Sequence, residues 1–195
     1  FIPVEHLRQA VWSMDEGNGS LFIGTDDGLY RMQANRKIEK ISDSDARCVL
    51  FCTDKNALLA AGTRGLSYFE YIAEYGMWVN MFDVMAENYS FNRMETETDT
   101  AGRLVVWLGT NNQGYVRVLF NDSDTKAEVF NENNGIVEGM TSPLKYNGMV
   151  YMLNKDHIYK YISREEMAEK LADSLKYMAI ALFDDAELNL VKNIY

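Results

Sequence analysis

The sequence is poor in several things, and each shortage excludes something. Only two cysteines are present, Cys48 and Cys52. Four residues apart on one strand they would stand ~13 Å apart, too far for a disulfide. They read as two buried small hydrophobes, so the chain is no disulfide scaffold, and its compartment stays open. Two histidines, His6 and His157, stand alone. Neither has the spacing to Cys, Asp or Glu that a metal site needs, so neither metal nor cofactor is expected. No apolar run approaches ~20 residues, so no helical membrane span lies within these boundaries. No basic cluster offsets the net charge of −10. That argues against nucleic acid and anionic membranes as partners, and leaves small molecules and protein surfaces open. No GxSxG, phosphate-binding loop or zinc motif occurs. The chain starts at Phe1 without Met or signal peptide, and reads as a mature or excised segment.

What is present is a globular composition, 47% apolar and 25% charged, over 195 residues, enough for one or two domains with a sizeable core. The clearest stretch is LFIGTDDGLYRM, Leu21 to Met32. Leu21, Ile23 and Thr25 alternate as on a strand. Asp26, Asp27 and Gly28 are turn formers, and Leu29, Tyr30 and Met32 restart the β pattern. Around it, Val11–Glu16 is a strand candidate and Gly17–Ser20 a turn. Arg36–Lys40 fits an outer edge strand whose charges discourage edge pairing.

This unit recurs. Cys48 to Phe69 carries Gly62-Thr63 and Gly65-Leu66, an offset of 38 from Gly24-Thr25. Gly102 to Phe120 carries Gly109-Thr110 and Gly114-Tyr115, an offset of 47. Asn147 to Ile162 is a degenerate fourth copy, with Leu153-Asn154 for Gly-Thr and His157-Ile158 for Gly-Leu. A period of ~40–45 residues with about four short strands each is the signature of propeller blades. The first glycine would let crowded strands approach, and the second would supply the turn. The predicted fold is therefore all-β, with antiparallel propeller-type blades around 11–45, 46–92, 93–135 and 136–162, and about four repeats making a partial propeller. After Gly148 no glycine remains. Ser163 to Glu166 is a capping-box pattern, and Met167, Leu171 and Leu175 follow at helical spacing. These predict a helix over 164–177 within a helical segment 163–195 that could cap the repeat region 1–162.

The unit VWSMDEGNGSLFIGTDDGLYRM resembles the two-component regulator propeller repeat. Phe22-Ile23-Gly24-Thr25 with Gly28-Leu29 matches that pattern closely, and Trp107-Leu108-Gly109-Thr110 matches again. Gly62-Thr63 with Gly65-Leu66 matches in part, and Asn134-Gly135-Ile136 is similar to the family's loop before a new blade. The resemblance covers roughly residues 11–162. It implies the periplasmic sensor region of a hybrid histidine kinase from a Bacteroides-like bacterium, binding oligosaccharides without catalysis. Such sensors carry more blades, so this resemblance also implies a piece of a longer protein, or closure as a homodimer. No kinase or receiver signature is present.

Alternating strand direction suggests where a ligand would sit. The turn after each Gly-Thr and the loop entering the next blade should emerge on one face. That groups Asp26, Asp27, Arg64, Asn111, Asn112 and Gln113 with Asn133 and Asn134. Amides, carboxylates and a guanidinium suit sugar hydroxyls, with Trp or Tyr for stacking. Turn preference alone would also explain Asp26-Asp27 and Asp15-Glu16. Ser13 to Gly17 echoes the start of a sialidase Asp-box, a structural turn, but Ser20 stands where an aromatic is expected. Two further readings are a propeller glycosidase or lyase with clustered carboxylates, and a protein-binding scaffold with an apolar patch at Tyr75, Trp78 and Phe82.

Overall fold

Four small antiparallel sheets follow one another along the chain in a propeller arrangement. The computed structural model describes residues 7, 9–85, 89–121, 125–155, 157–163 and 166–173. The first sheet holds β1 (Val11–Gly17), β2 (Ser20–Thr25), β3 (Gly28–Gln33) and β4 (Ile38–Ser42), in that spatial order. The second holds β5 (Cys48–Cys52), β6 (Ala57–Gly62), β7 (Gly65–Ile72) and β8 (Met77–Met85). The third holds β9 (Phe91–Thr98), β10 (Leu104–Thr110), β11 (Tyr115–Leu119) and β12 (Lys126–Phe130). The fourth has three described strands, β13 (Thr141–Tyr146), β14 (Met149–Asn154) and β15 (His157–Lys160). The first strand of each sheet packs on the first of the next: β1 on β5, β5 on β9, β9 on β13.

Side-chain patterning follows position in this stack. The central strand β6, ALLAAG, is buried along its whole length because both of its faces are covered. Leu58 and Ala60 face the first sheet with Phe22, Phe51 and Trp78. Ala57, Leu59 and Ala61 face the third with Met94, Val106 and Leu108. A strand covered on both sides carries a continuous apolar run, not an alternation. The outermost strand β12, KAEVF, is exposed except at its end and keeps its charges. Lys126 and Glu128 on that edge blunt pairing with another chain. The expected edge strand of the first sheet forms as β4, shifted past Arg36, which sits in the preceding turn at φ 64.

The Gly-Thr glycines occupy places where a side chain has no room. A Cβ at Gly24 would lie 2.5 Å from the Ala46 carbonyl at the entrance to the second sheet. One at Gly109 would lie 2.4 Å from the Thr141 carbonyl at the entrance to the fourth. Close approach of neighbouring backbones is what each glycine permits.

Two readings change. Asp15 is not a turn residue: it lies within β1, opposite Phe22, and its carboxylate accepts the Phe51 N–H at 2.7 Å. Trp78 belongs to no exposed patch. It is buried edge-on against Phe22 at 5.2 Å and Phe51 at 6.2 Å, in the core between the first two sheets. Tyr75 and Phe82 are exposed. Cys48 and Cys52 are buried and unpaired on β5, and burial pushes their thiols up to about 12 and about 11.

The chain divides into two units, Phe1–Tyr159 and Lys160–Tyr195. In the second, residues 166–173 are helical. The Ser163 hydroxyl accepts the Glu166 N–H at 3.1 Å, the bond the capping pattern predicts. The rest of the predicted helix, and His6, lie outside the described residues. No described helix is long and apolar enough to cross a membrane.

Candidate ligand-binding face

Strand alternation puts the β2–β3, β6–β7 and β10–β11 turns at the same end as the loops between sheets, and hydrogen bonds tie the two sets together. Thr25 O accepts the Ala46 N–H at 2.9 Å. The Thr63 hydroxyl donates to Asp45 at 2.8 Å. Ser90 O accepts the Asn111 N–H at 3.0 Å, and the Thr141 hydroxyl accepts the Thr110 N–H at 2.8 Å. Two separate clefts at this end of the stack hold residues expected there.

The first cleft, an open one of about 810 Å³, lies where the first two sheets meet, and Trp12, Asp26, Asp45, Arg47 and Arg64 are among its lining residues. Trp12 is the second residue of β1 and is 52% exposed. Its indole N–H donates to the Asp26 carboxylate. The Arg47 guanidinium sits over the indole, 4.1 Å from the ring centroid. Arg47 also reaches Asp26 at 3.8 Å and Asp45 at 3.6 Å. The result is an aromatic plate with one face under a cation and carboxylates at its rim. Such a plate offers stacking, while its neighbours offer both donors and acceptors.

The second cleft, about 280 Å³, lies where the third and fourth sheets meet, lined by residues including Tyr89, Asn112, Gln113, Asn131, Glu132 and Glu138. Gln113 is held in place: its side-chain oxygen accepts the Ser90 N–H at 3.2 Å, and its own N–H donates to Thr110 at 2.8 Å.

The eight residues expected on this face divide accordingly. Asp26 and Arg64 line the first cleft, and Asn112 and Gln113 the second. Asp27 neighbours Asp26 but is used internally. Its carboxylate accepts from Thr25 at 2.9 Å, Tyr30 at 3.0 Å and Gln9 at 2.9 Å, with Lys40 at 3.9 Å. Desolvation pushes its pKa up, but the hydrogen bonds from Thr25 and Tyr30 and the charge of Lys40 outweigh it and hold Asp27 below the ordinary range. Asn111 bridges to Ser90 at 2.7 Å and Asn92 at 3.4 Å. Asn133 and Asn134 form a short 3-10 turn, where the Asn134 side chain accepts the Asn131 N–H at 3.2 Å. Trp12, Arg47, Tyr89 and Glu132 were not among the expected residues. For Trp12 a signal existed: β1 must pair antiparallel with β2, which brings its start level with the Asp26-Asp27 turn.

Among the described residues, no group of three or more His, Cys, Asp or Glu is placed to hold a metal ion. His157 stacks on Tyr159 at 5.8 Å.

No protein-family model and no curated protein matches the chain. Solved structures do. One is the extracellular domain assigned to a one component system, BT4673, from B. thetaiotaomicron, with a TM-score of 0.53 and 19% identity over 79% of this chain and 22% of that one. A second structure, assigned to a hybrid two component system BT4673 of the same organism, has a TM-score of 0.52 and 20% identity over 84% of this chain and 23% of that one. A structural genomics protein of unknown function from Bacteroides thetaiotaomicron VPI-5482 has a TM-score of 0.52 and 12% identity, over 78% and 41%. These likenesses show the propeller fold. The chain spans less than half the length of each, between 22% and 41%.

Proposed function

We propose that this chain is a ligand-sensing module of a bacterial two-component sensor, working on the periplasmic side, with oligosaccharides as ligands and no catalysis of its own. The observation that carries this reading is the Trp12 cleft: a half-exposed indole flanked by Asp26, Arg47 and Arg64. A pyranose ring would stack on the open indole face, and its hydroxyls would bond to the carboxylates and guanidinium groups. The likeness to extracellular domains of Bacteroides sensors supports the compartment and the role. The cleft also suggests a mechanism. Arg47, just before β5, bonds to Asp26 in the first sheet, so a ligand competing for Asp26 would loosen or reset the junction between the two sheets. A kinase outside this segment would read that change, within one chain or across a homodimer.

Binding to an oligosaccharide panel, read by Trp12 fluorescence or calorimetry, tests the proposal. Trp12→Ala should weaken binding at least about tenfold, as removal of a central aromatic anchor does. Silence across a broad panel, for this chain and for its full ectodomain, would sink the sugar-sensor reading.

A further inference from the structure

We propose a second saccharide-ring site at the opposite end of the blades, between the second and third sheets. The β5–β6, β9–β10 and β11–β12 turns all emerge at that end, away from the Trp12 face. There, Lys55, Tyr68, Glu70, Phe82, Arg103 and Phe120 line most of a cleft of about 610 Å³. That volume falls within the range of about 300–1,000 Å³ typical of small-molecule sites.

Its floor is aromatic. Tyr68 and Phe82, directly paired across β7 and β8, stack at 5.0 Å with planes 7° apart. Phe120, just past β11 in the next sheet, leans against both, at 5.5 and 5.6 Å. Phe82 remains 39% exposed, although the cores on either side of its sheet are closed. An aromatic platform left open to solvent inside a cleft invites a partner with an apolar face.

The rim narrows the class of that partner. Lys55, Glu70 and Arg103 belong to the lining, and Arg103 is tied to Asp99 at 2.6 Å, so the described rim carries charges of both signs. A rim of mixed charge on a chain of net charge −10 disfavours nucleotides and other polyanions. The two cations disfavour a quaternary ammonium. The ring of polar groups disfavours a lipid tail. A neutral polyhydroxylated ring satisfies every term: C–H faces for the phenyl groups, hydroxyls for an ammonium donor and a carboxylate acceptor. Tyr68 and Glu70, two residues apart on β7, both line the cleft.

This site stands apart from the Trp12 cleft, so the two can fail separately. The experiment is heteronuclear NMR on the intact chain with neutral hexasaccharides (cello-, xylo-, manno- and arabino-) at millimolar concentration. The ring signals of Phe82 and Phe120 report this site, and the Trp12 indole reports the other. At least one sugar should shift the Phe82 and Phe120 rings. Phe82→Ala should weaken that response about tenfold, and Lys55→Ala about fivefold. Lys55 lies exposed in a short 3-10 turn, so its variant decides the question if Phe82→Ala does not fold. Rings that stay still with every sugar overturn the proposal, as do shifts that neither variant weakens. A response of the Trp12 indole alone overturns it while leaving the sensor reading in place.

Discussion

The junction between the first and second sheets and the junction between the third and fourth solve one packing problem with different chemistry. Both place a glycine against the entrance of the next sheet, and both put a large aromatic two residues before it, Phe22 in one and Trp107 in the other. At the first junction Phe22 stacks on Phe51 at 5.5 Å and meets Trp78 edge-on, so the contact is apolar. The polar links along β5 are single bonds: Ser13 accepts the Val49 N–H at 3.1 Å and Asp15 the Phe51 N–H. At the second junction one carboxylate does both tasks. Glu97 accepts the Trp107 indole N–H at 2.8 Å and the Val150 N–H at 2.9 Å. The Thr141 hydroxyl and the Tyr115 hydroxyl add further bonds across the same boundary. Blade packing therefore requires backbone proximity and satisfied edge groups, not a particular side chain.

This contrast can be broken experimentally. Phe22→Ala should have the largest effect, about 3–5 kcal/mol of stability in denaturant unfolding, because it empties a closed aromatic core. A loss below 1 kcal/mol would mean that the apolar junction is not the stronger one. Glu97→Gln should cost about 1–3 kcal/mol, since an amide keeps one acceptor and turns a donor toward a donor. Its amide-exchange signature should be confined to the Val150 N–H and the Trp107 indole. Ser13→Ala should cost about 1 kcal/mol or less, one edge bond among several. Acid should act on the first and third sheets alike. Asp27 and Asp99 are both held below their ordinary 3.8, with desolvation opposing and hydrogen bonds prevailing, from Thr25 and Tyr30 in one and from Arg103 in the other. A depressed carboxylate contributes stability that is complete above the unfolded value and is lost as pH falls through the folded one. Unfolding midpoints should thus drop below about pH 4, and Asp27→Asn or Asp99→Asn should flatten that drop. A pH profile unchanged in both variants would exclude these two groups as its source.

Much of the architecture was legible because the repeat is a local signal. Gly-Thr followed by Gly plus an apolar residue marks a strand, a tight turn and a strand wherever it occurs, and β2–β3, β6–β7 and β10–β11 fall on it. The candidate site was legible only in outline. Topology placed the β2–β3, β6–β7 and β10–β11 turns at one end, but it could not separate Asp26, which lines a cleft, from Asp27, which is consumed by its own turn. Trp78 looked like a surface aromatic because β8 is an outer strand with exposed neighbours, Met77 and Met81. Only the packing of the first sheet on the second buries it.

By itself, then, the sequence determined the repeating unit, its turns and the glycines that let blades approach. These depend on backbone sterics and on the period of side chains, which neighbours in the chain settle among themselves. The tertiary structure decided which polar groups are spent and which are offered. Asp15 becomes a latch because β5 brings the Phe51 N–H to it, and Arg47 joins Trp12 because two sheets meet there. A hydrogen bond or a stacked cation needs a partner within a few ångströms, and for these residues that partner lies about 35 positions away along the chain.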